Sequence, residues 1–455
     1  MMGFNIYSKI TMAINIIHEP QRINPANNLN TWVAESNSNN LVYYYVEVED
    51  FYTGKRITRK KIYPKPNTPN NRIQFNIGDA LKEASESVLV TNNNVINVTK
   101  APAYRLYIKE IFKHPLSNGW GTHGGSSELV GTHNPFFYFD SQINVIDFVG
   151  YDSNTYNVNS DPEKKAKFLT NDQTVKRITT TQKEYLKIFN IDKIATKLLI
   201  QLYDTDGDWL ESVTIGIPEV AGVDYPCLNI NVTPSVILNH PSISSDTKAI
   251  AGQYKITLLN PTDVEVSESK LFIMYEGNCS NKETNILYKN HLGGFDSVKF
   301  LNRIETINVS KTYLNIETAK GITYSTDGKY LNNKEVINAD VTSSYIAYSD
   351  WLDDYESKQI KELIMSPKVY AVVGNLLVEV NVENKTYKVN QRHVNAGKKN
   401  MLELQFTTPF SIDKLEEIIS LSDIPLNNNP DPDYYLTVGG DFVVDIYGRY
   451  ITLKY

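Results

Sequence analysis

The run DTDGDWLE, Asp204 to Glu211, sets four carboxylates within eight residues, and alternating oxygen donors of this kind converge on hard cations such as calcium. The twelve-residue calcium loop of an EF-hand places its glycine sixth and a glutamate twelfth. Here the glycine comes fourth and no glutamate stands at twelve. Both flanks alternate as strands, so the run reads first as the turn of a hairpin, with metal binding over Asp204–Asp208 left open. A second candidate is the glycine-rich stretch HPLSNGWGTHGGSSELVGTHNP, which carries His114, His123 and His133, three of the seven histidines. Neutral imidazoles bind transition metals, but spacings of nine and ten match no familiar ligand pattern. A loop that touches a partner is the simpler reading, and metal binding again stays open.

Two groups of residues invite a catalytic reading. Asp353, Asp354 and Glu356 beside Trp351 offer carboxylates for glycoside cleavage. Glycosidase pairs, however, stand on separate elements at a set distance, whereas acids at a helix start answer the helix dipole. The stretch YKNHLGGFDSVKF, residues 288–300, combines a histidine, an aspartate and a glycine pair. A phosphate-cradling loop runs from a strand into a helix N-terminus. Here Val298 and Phe300 alternate with Ser297 and Lys299, which continues a strand, so Gly293-Gly294 reads as a turn between two strands. The chain contains no Walker A loop, G-x-S-x-G elbow, HExxH or CxxC. Cys227 and Cys279 have no evident catalytic context and supply no disulfide framework. No residue is therefore assigned a catalytic, cofactor-binding or metal-binding role, and no cofactor is expected.

Composition bounds the partners. The 455 residues suggest roughly three domains at about 150 residues each. A formal charge of −7 argues against general nucleic-acid binding. The local exception is GKRITRKKIYPKP, with Lys55, Arg56, Arg59, Lys60, Lys61 and Lys65, which reads as a lysine-protected strand edge or, less simply, as a DNA contact. The opening MMGFNIYSKITMAINIIHEP has no continuous apolar core, so no secretory signal is expected. Nowhere are there eighteen consecutive apolar residues, so no membrane contact is expected either.

The elements that would position these residues are mostly strands. Thirty tyrosines beside abundant Asn, Thr, Val and Ile favour pleated, half-buried surfaces joined by tight turns. In LVYYYVEVE, Val42, Tyr44, Val46 and Val48 share one face, and in YRLYIKEI Tyr104, Leu106 and Ile108 do the same. KLLIQLYDTDGDWLESVTIGI predicts a hairpin closed by Asp206-Gly207; YKITLL and KLFIMY are further strands. TNILYKN, SVKFLNR and ETINVS read as three short strands with turns between them. LLVEVNVENKTYKVN reads as a strand pair bending at Asn384-Lys385, and MLELQF as one more strand. Helices are expected over 76–89, 350–365 and SIDKLEEIISL, and a β-meander turning at Gly439-Gly440 closes the chain. The expected fold is mainly β with a few short helices, as about three β-sandwich-like domains in series. Their expected bounds are 1–112, a long glycine-rich loop 113–135, then 136–283 and 284–455.

LYKNHLGGFDSVKFLNR, followed by YSDWLDDYESKQIKELIMSPKVYAV, resembles a pattern in virion structural proteins of tailed phages and prophages of Bacteroidetes hosts, including the crAss-like phages. Residues 284–406 carry it most strongly; INIIHEPQRINPANNLNTWVAES, KIYPKPNTPNNRIQFNIGDAL and KFLTN at 167–171 resemble it too. The segment after the helix departs from it by lacking a Pro-Val-Ile run. The resemblance implies a non-enzymatic tail hub, ring, connector or baseplate component, a homo-oligomer that contacts other tail proteins and is assembled in the host cytoplasm. Any DNA contact would then be indirect, through a tail channel. The alternative function is a glycan-binding adhesin or glycan-cleaving surface protein using Trp120, Trp209 or Trp351 as sugar platforms.

Overall fold

The computed structural model describes residues 14–36, 41–66, 69–85, 89, 94–113, 120–122, 128–130, 135–143, 148, 150–161, 163–275, 283–315, 334–349, 361–373, 376–384, 403–408, 437–438 and 441–442. The chain is mainly β, with several sheets forming β-sandwich-like domains in series. Strands β1 (Asn15–His18), β2 (Ile23–Pro25), β3 (Thr31–Glu35), β4 (Leu41–Asp50), β5 (Arg56–Ile62), β6 (Ile73–Asn76), β7 (Ile96–Lys100), β8 (Ala103–Lys113), β9 (Trp120–Thr122), β10 (Glu128–Val130) and β11 (Phe136–Phe139) come first. A small β1-β3-β6 sheet covers a larger sheet ordered β2-β11-β8-β4-β5, with β9 and β10 paired to β8. The period-two pattern does its expected work here. Tyr44, Val46 and Val48 of β4, with Tyr104, Leu106 and Ile108 of β8, meet Trp32 and Phe75 of the small sheet in one core. Each such side chain contributes about 1.5–3 kcal/mol by leaving water. The first expected helix forms over Gly78–Ala84, shorter than its sequence pattern, with Asp79 in its first turn.

The second sandwich contains β12 (Val175–Thr179), β13 (Tyr185–Phe189), β14 (Lys197–Tyr203), β15 (Trp209–Gly216), β16 (Pro226–Asn231), β17 (Gln253–Leu259) and β18 (Lys270–Tyr275). Its sheets run β12-β18-β17-β14-β15 and β13-β16-β7. The expected hairpin is present: β14 and β15 pair antiparallel, and Gly207 takes the left-handed conformation at φ +94°. Strands cross the expected 112/136 divisions. β7 precedes the glycine-rich stretch in sequence yet pairs with β16, while β11 follows it yet pairs with β8 and, in parallel, with β2. Ile23, Phe137, Phe139, Leu169, Phe189 and Leu292 pack in one cluster along this seam.

A third sheet, ordered β23-β22-β19-β20-β21-β25-β24, comprises β19 (Thr284–Lys289), β20 (Phe295–Asn315), β21 (Lys334–Ser349), β22 (Val369–Val373), β23 (Leu376–Glu379), β24 (Asn381–Val382) and β25 (Glu403–Thr407). SVKFLNR and ETINVS are not separate strands as their turn-like residues suggest. They join in the single 21-residue β20, because a register shift between Leu301 and Ile304 absorbs the irregularity without breaking the ladder. β23 folds back on β22; the expected bend partner beyond Asn384 lies outside the described residues. Residues 361–365 are helical and bury Leu363 in the core of this sheet, whereas 350–360 of the expected 350–365 helix lie outside the described residues. No described helix is long and apolar enough to cross a membrane. Phe410–Tyr455 forms a unit of its own. There β26 (Thr437–Val438) and β27 (Asp441–Phe442) pair antiparallel; Gly439-Gly440, the expected helix SIDKLEEIISL and the remainder of the expected meander lie outside the described residues.

The turn at 290–294 joins β19 to β20, as the sequence suggests, but its glycines do more than turn. Gly293 has φ +79°, and a Cβ there would sit 2.8 Å from the Asp140 carbonyl oxygen. At Gly294 a Cβ would lie 2.0 Å from the Leu169 carbonyl oxygen. The hairpin end is thus pressed backbone to backbone against the segments before β12 and after β11. Gly294→Ala is expected to lower stability by about 2–3 kcal/mol, because backbone and not a flexible side chain must move. Thermal unfolding checks this; an unchanged midpoint would show that the two backbones separate at no cost to admit the methyl group.

Candidate functional site

Where the hairpin end meets the second sandwich, ionisable groups converge. Ile178 of β12 points into the core, and by strand alternation Lys176 turns inward beside it. Its ammonium donates to Asp172 Oδ2 at 2.5 Å, to Glu184 Oε2 at 2.6 Å and to the Ser297 carbonyl at 3.0 Å. Ser297 Oγ donates to the same Glu184 oxygen at 2.5 Å, and Gln182 Nε2 donates to Ser297 Oγ at 2.6 Å. Asp296, fully buried, accepts from Thr170 Oγ1 at 2.6 Å and from the Asn171 amide at 3.3 Å. Asn290 completes the joint: its Nδ2 donates to the Leu169 carbonyl, and its Oδ1 accepts the amides of Leu292 and Gly294, each at 3.0 Å. At the outer rim His291 Nδ1 lies 2.7 Å from Glu362 Oε1, and Asn171 Nδ2 donates to Glu362 Oε2 at 2.5 Å.

Oxygens of Asp172, Glu184 and Asp296 lie within 4.8 Å of one another, close enough to share a cation. That cation is the Lys176 ammonium, which already occupies hydrogen-bonding positions on two of the three. One ammonium does not balance three carboxylates. Burial therefore pushes Glu184 up to about 8, against the pull of Lys176. Burial likewise, with repulsion from Asp172, pushes Asp296 up to about 7. Burial also works against the charge on Lys176, but Asp172 and Glu184 outweigh it and keep the lysine protonated. Glu184 and Asp296 are both closed to solvent, and the hydrogen bonds of the cluster tie the second sandwich to the third sheet.

The other candidate residues do not join it. Asp204 Oδ1 accepts the backbone amides of Asp206, Gly207 and Asp208 at 2.8–2.9 Å, which commits that carboxylate to its own turn. Trp209 is exposed, and its indole donates to Ser212. The backbone of Trp120 lies in β9 opposite Lys113. Cys227 is buried, and desolvation raises its thiol, which suppresses the nucleophilic thiolate. His114, His123, His133, Cys279, Trp351, Asp353, Asp354 and Glu356 lie outside the described residues. In the basic run, Arg56 and Arg59 pair with Glu47, while Lys60 and Lys65 donate to Asn76 and Gln74.

A second feature lies at the surface. β19 pairs with β20 only over Phe295–Phe300, and β25 pairs with β21 only over Ser344–Tyr348. Beyond those points, from Ile307↔Ser343 to Asn315↔Lys334, β20 and β21 pair only with each other among the described residues. This two-stranded ribbon is about 30 Å long at roughly 3.3 Å per residue. Ile307, Val309 and Tyr313 share one face and are each about half exposed, and Val336, opposite Tyr313, is exposed as well. Thr306, Asn308, Ser310 and Thr312 take the other face. Period-two alternation over ETINVSKTY signals this two-faced strand in the sequence. Nothing in the sequence signals the buried cluster, because Asp296 and Ser297 lie more than 100 residues from Asp172, Lys176 and Glu184.

No protein-family model matches the chain, and no curated protein matches it. Among solved structures, a marsupial T cell receptor is similar over 71% of this chain and 94% of that one, at 9% identity and a TM-score of 0.15, too low to carry any argument. The cluster supplies its own test. The folded chain holds the protons of Glu184 and Asp296 more tightly than the unfolded chain does. Its contribution to stability is therefore full below the ordinary carboxylate range and falls as pH rises through about 7 to 8. Glu184→Gln, which keeps a neutral acceptor, is expected to flatten this decline. Measured by denaturant unfolding, the variant should gain about 1.4 kcal/mol on the parent per tenfold change in proton affinity removed, up to pH 8.5. Parallel pH profiles for the two proteins would remove Glu184 from this role.

Proposed function

We propose that this chain is a non-enzymatic structural subunit of a phage tail, a hub, ring or baseplate component that assembles with copies of itself and with other tail proteins inside the host cell. The observation that carries the proposal is the β20–β21 ribbon. A two-stranded hairpin is marginal by itself, and contiguous exposed apolar residues mark an interaction surface. Here Ile307, Val309, Tyr313 and Val336 face solvent on strands whose outer edges are unpaired among the described residues. Such edges accept a neighbour's strand, and a head-to-tail contact of this type closes into a ring when its rotation permits.

The resembling stretches support the same reading. KFLTN and NHLGGFD meet each other: Asn290 binds Leu169, and Asp296 binds Thr170 and Asn171. Their residues fix the base of the strand that continues into the ribbon, which is work for a structural part. The reading is tested by imaging and sedimentation of the purified chain, alone and with candidate tail proteins. Rotationally symmetric particles are expected for the parent. Ile307→Asp with Val309→Asp should leave the unfolding free energy within about 0.5 kcal/mol of the parent's, because both sites are exposed, and abolish assembly. A parent that stays monomeric and ignores every tail component defeats the proposal.

A further inference from the structure

The large sheet of the first sandwich has two faces of opposite character. Its inner face packs on Trp32 and Phe75. Its outer face alternates rings and cations across three adjacent strands. β4 contributes Tyr43 and Tyr45, and register sets Lys61 and Arg59 of β5 beside Tyr45 and Glu47. On the other flank, β8 sets Lys109 opposite Tyr45, Tyr107 opposite Glu47 and Arg105 opposite Glu49. The contacts are close. The Lys61 ammonium lies 4.0 Å from the Tyr43 ring centroid and 5.0 Å from that of Tyr63, and the Arg59 guanidinium lies 4.3 Å from Tyr45. Tyr43 meets Tyr45 and Tyr63 edge to face at 5.2 and 5.8 Å, and Tyr63 is 58% exposed.

Lysines along an edge strand ordinarily protect it from pairing. Edge protection explains β5, the last strand of its sheet, but not Arg105 and Lys109 on β8 in the sheet interior. Nor does it call for rings between the charges. Five cations, Arg56, Arg59, Lys61, Arg105 and Lys109, face two carboxylates, Glu47 and Glu49, so this face is positive in a chain of net charge −7. Its complement is a polyanion that also carries flat apolar rings.

We propose that the outer β5-β4-β8 face binds single-stranded nucleic acid, with phosphates on Arg59, Lys61 and Lys109 and bases stacked on Tyr45 and Tyr63. Rings already capped by cations suit this task, because a base that displaces the Lys61 ammonium from Tyr63, or the Arg59 guanidinium from Tyr45, leaves it within reach of the adjoining phosphate. Duplex DNA hides its base faces and gains nothing from the tyrosines. Sulfated polymers and acidic peptides use the charges but not the rings.

Fluorescence anisotropy of the full chain with a labelled 20-nucleotide oligo(dT), a 20-base-pair duplex and heparin tests this. With about three to four phosphates engaged, raising salt from 50 to 200 mM should weaken oligo(dT) binding about 20- to 50-fold. Arg59→Ala with Lys61→Ala should cut that salt dependence to about three- to sevenfold, since Lys109 remains. Tyr45→Leu with Tyr63→Leu should weaken oligo(dT) at least about fivefold while leaving heparin binding unchanged. Near-UV circular dichroism confirms that each variant is folded. The assignment is overturned by absence of oligo(dT) binding, by equal or tighter binding of the duplex, or by oligo(dT) binding indifferent to the tyrosines.

Discussion

The enclosed Lys176 ammonium is the constraint around which the rest is arranged. Removing an ammonium and carboxylates from water costs several kcal/mol per ion, recovered only when geometry is good and every donor is used. Here Asp172, Glu184 and the Ser297 carbonyl accept its hydrogen bonds, and they come from a loop, the approach to β13 and the start of β20. Removing any one partner leaves a poorly hydrated hydrogen-bonding group unsatisfied. The arrangement therefore favours one register between the second sandwich and the third sheet. Hydrophobic packing of Leu292 in the neighbouring seam adds stability but is indifferent to small slips, whereas a charge in a closed site is not.

The ingredients of a catalytic loop serve architecture at the same place. In HLGGFD the glycines are needed because two backbones touch, the aspartate because Thr170 and the Asn171 amide need an acceptor, and the histidine because Glu362 closes the rim. Asp296 and Glu184 are perturbed because burial strips water from their charged forms.

Much of the fold was legible where one face of a strand is wet and the other dry. Tyr44, Val46 and Val48 declared their side by alternation, and so did Leu404 and Phe406 of β25. The Asp204 turn was legible too, since Asp and Gly carry the conformational requirement locally. The long β20 was not, because Asn302-Arg303 has turn composition while a bulge accommodates it within the ladder. The placement of β7 on β16 was hidden for a different reason: strand exchange is set by which edge is free after folding, and a linear pattern holds no record of that. The charged cluster was illegible on the same ground. Asp172, Glu184 and Asp296 each look like ordinary surface acids until the chain brings them around one lysine.

These two kinds of residue define the molecule's division of labour. Asp296 and Ser297 fix the first residues of β20 in the most constrained part of the structure, and the same strand runs unbroken into the least buried part, where Ile307, Val309 and Tyr313 meet solvent. Association costs conformational freedom, and a surface element held from a rigid base has less of it to lose than a free loop. In the proposed assembly, a ribbon anchored through this ion network would arrive at a neighbour with its register already set. That link, from Ser297 at the Lys176 ammonium to an exposed ribbon on the same strand, supports the proposal that joint and ribbon serve assembly together.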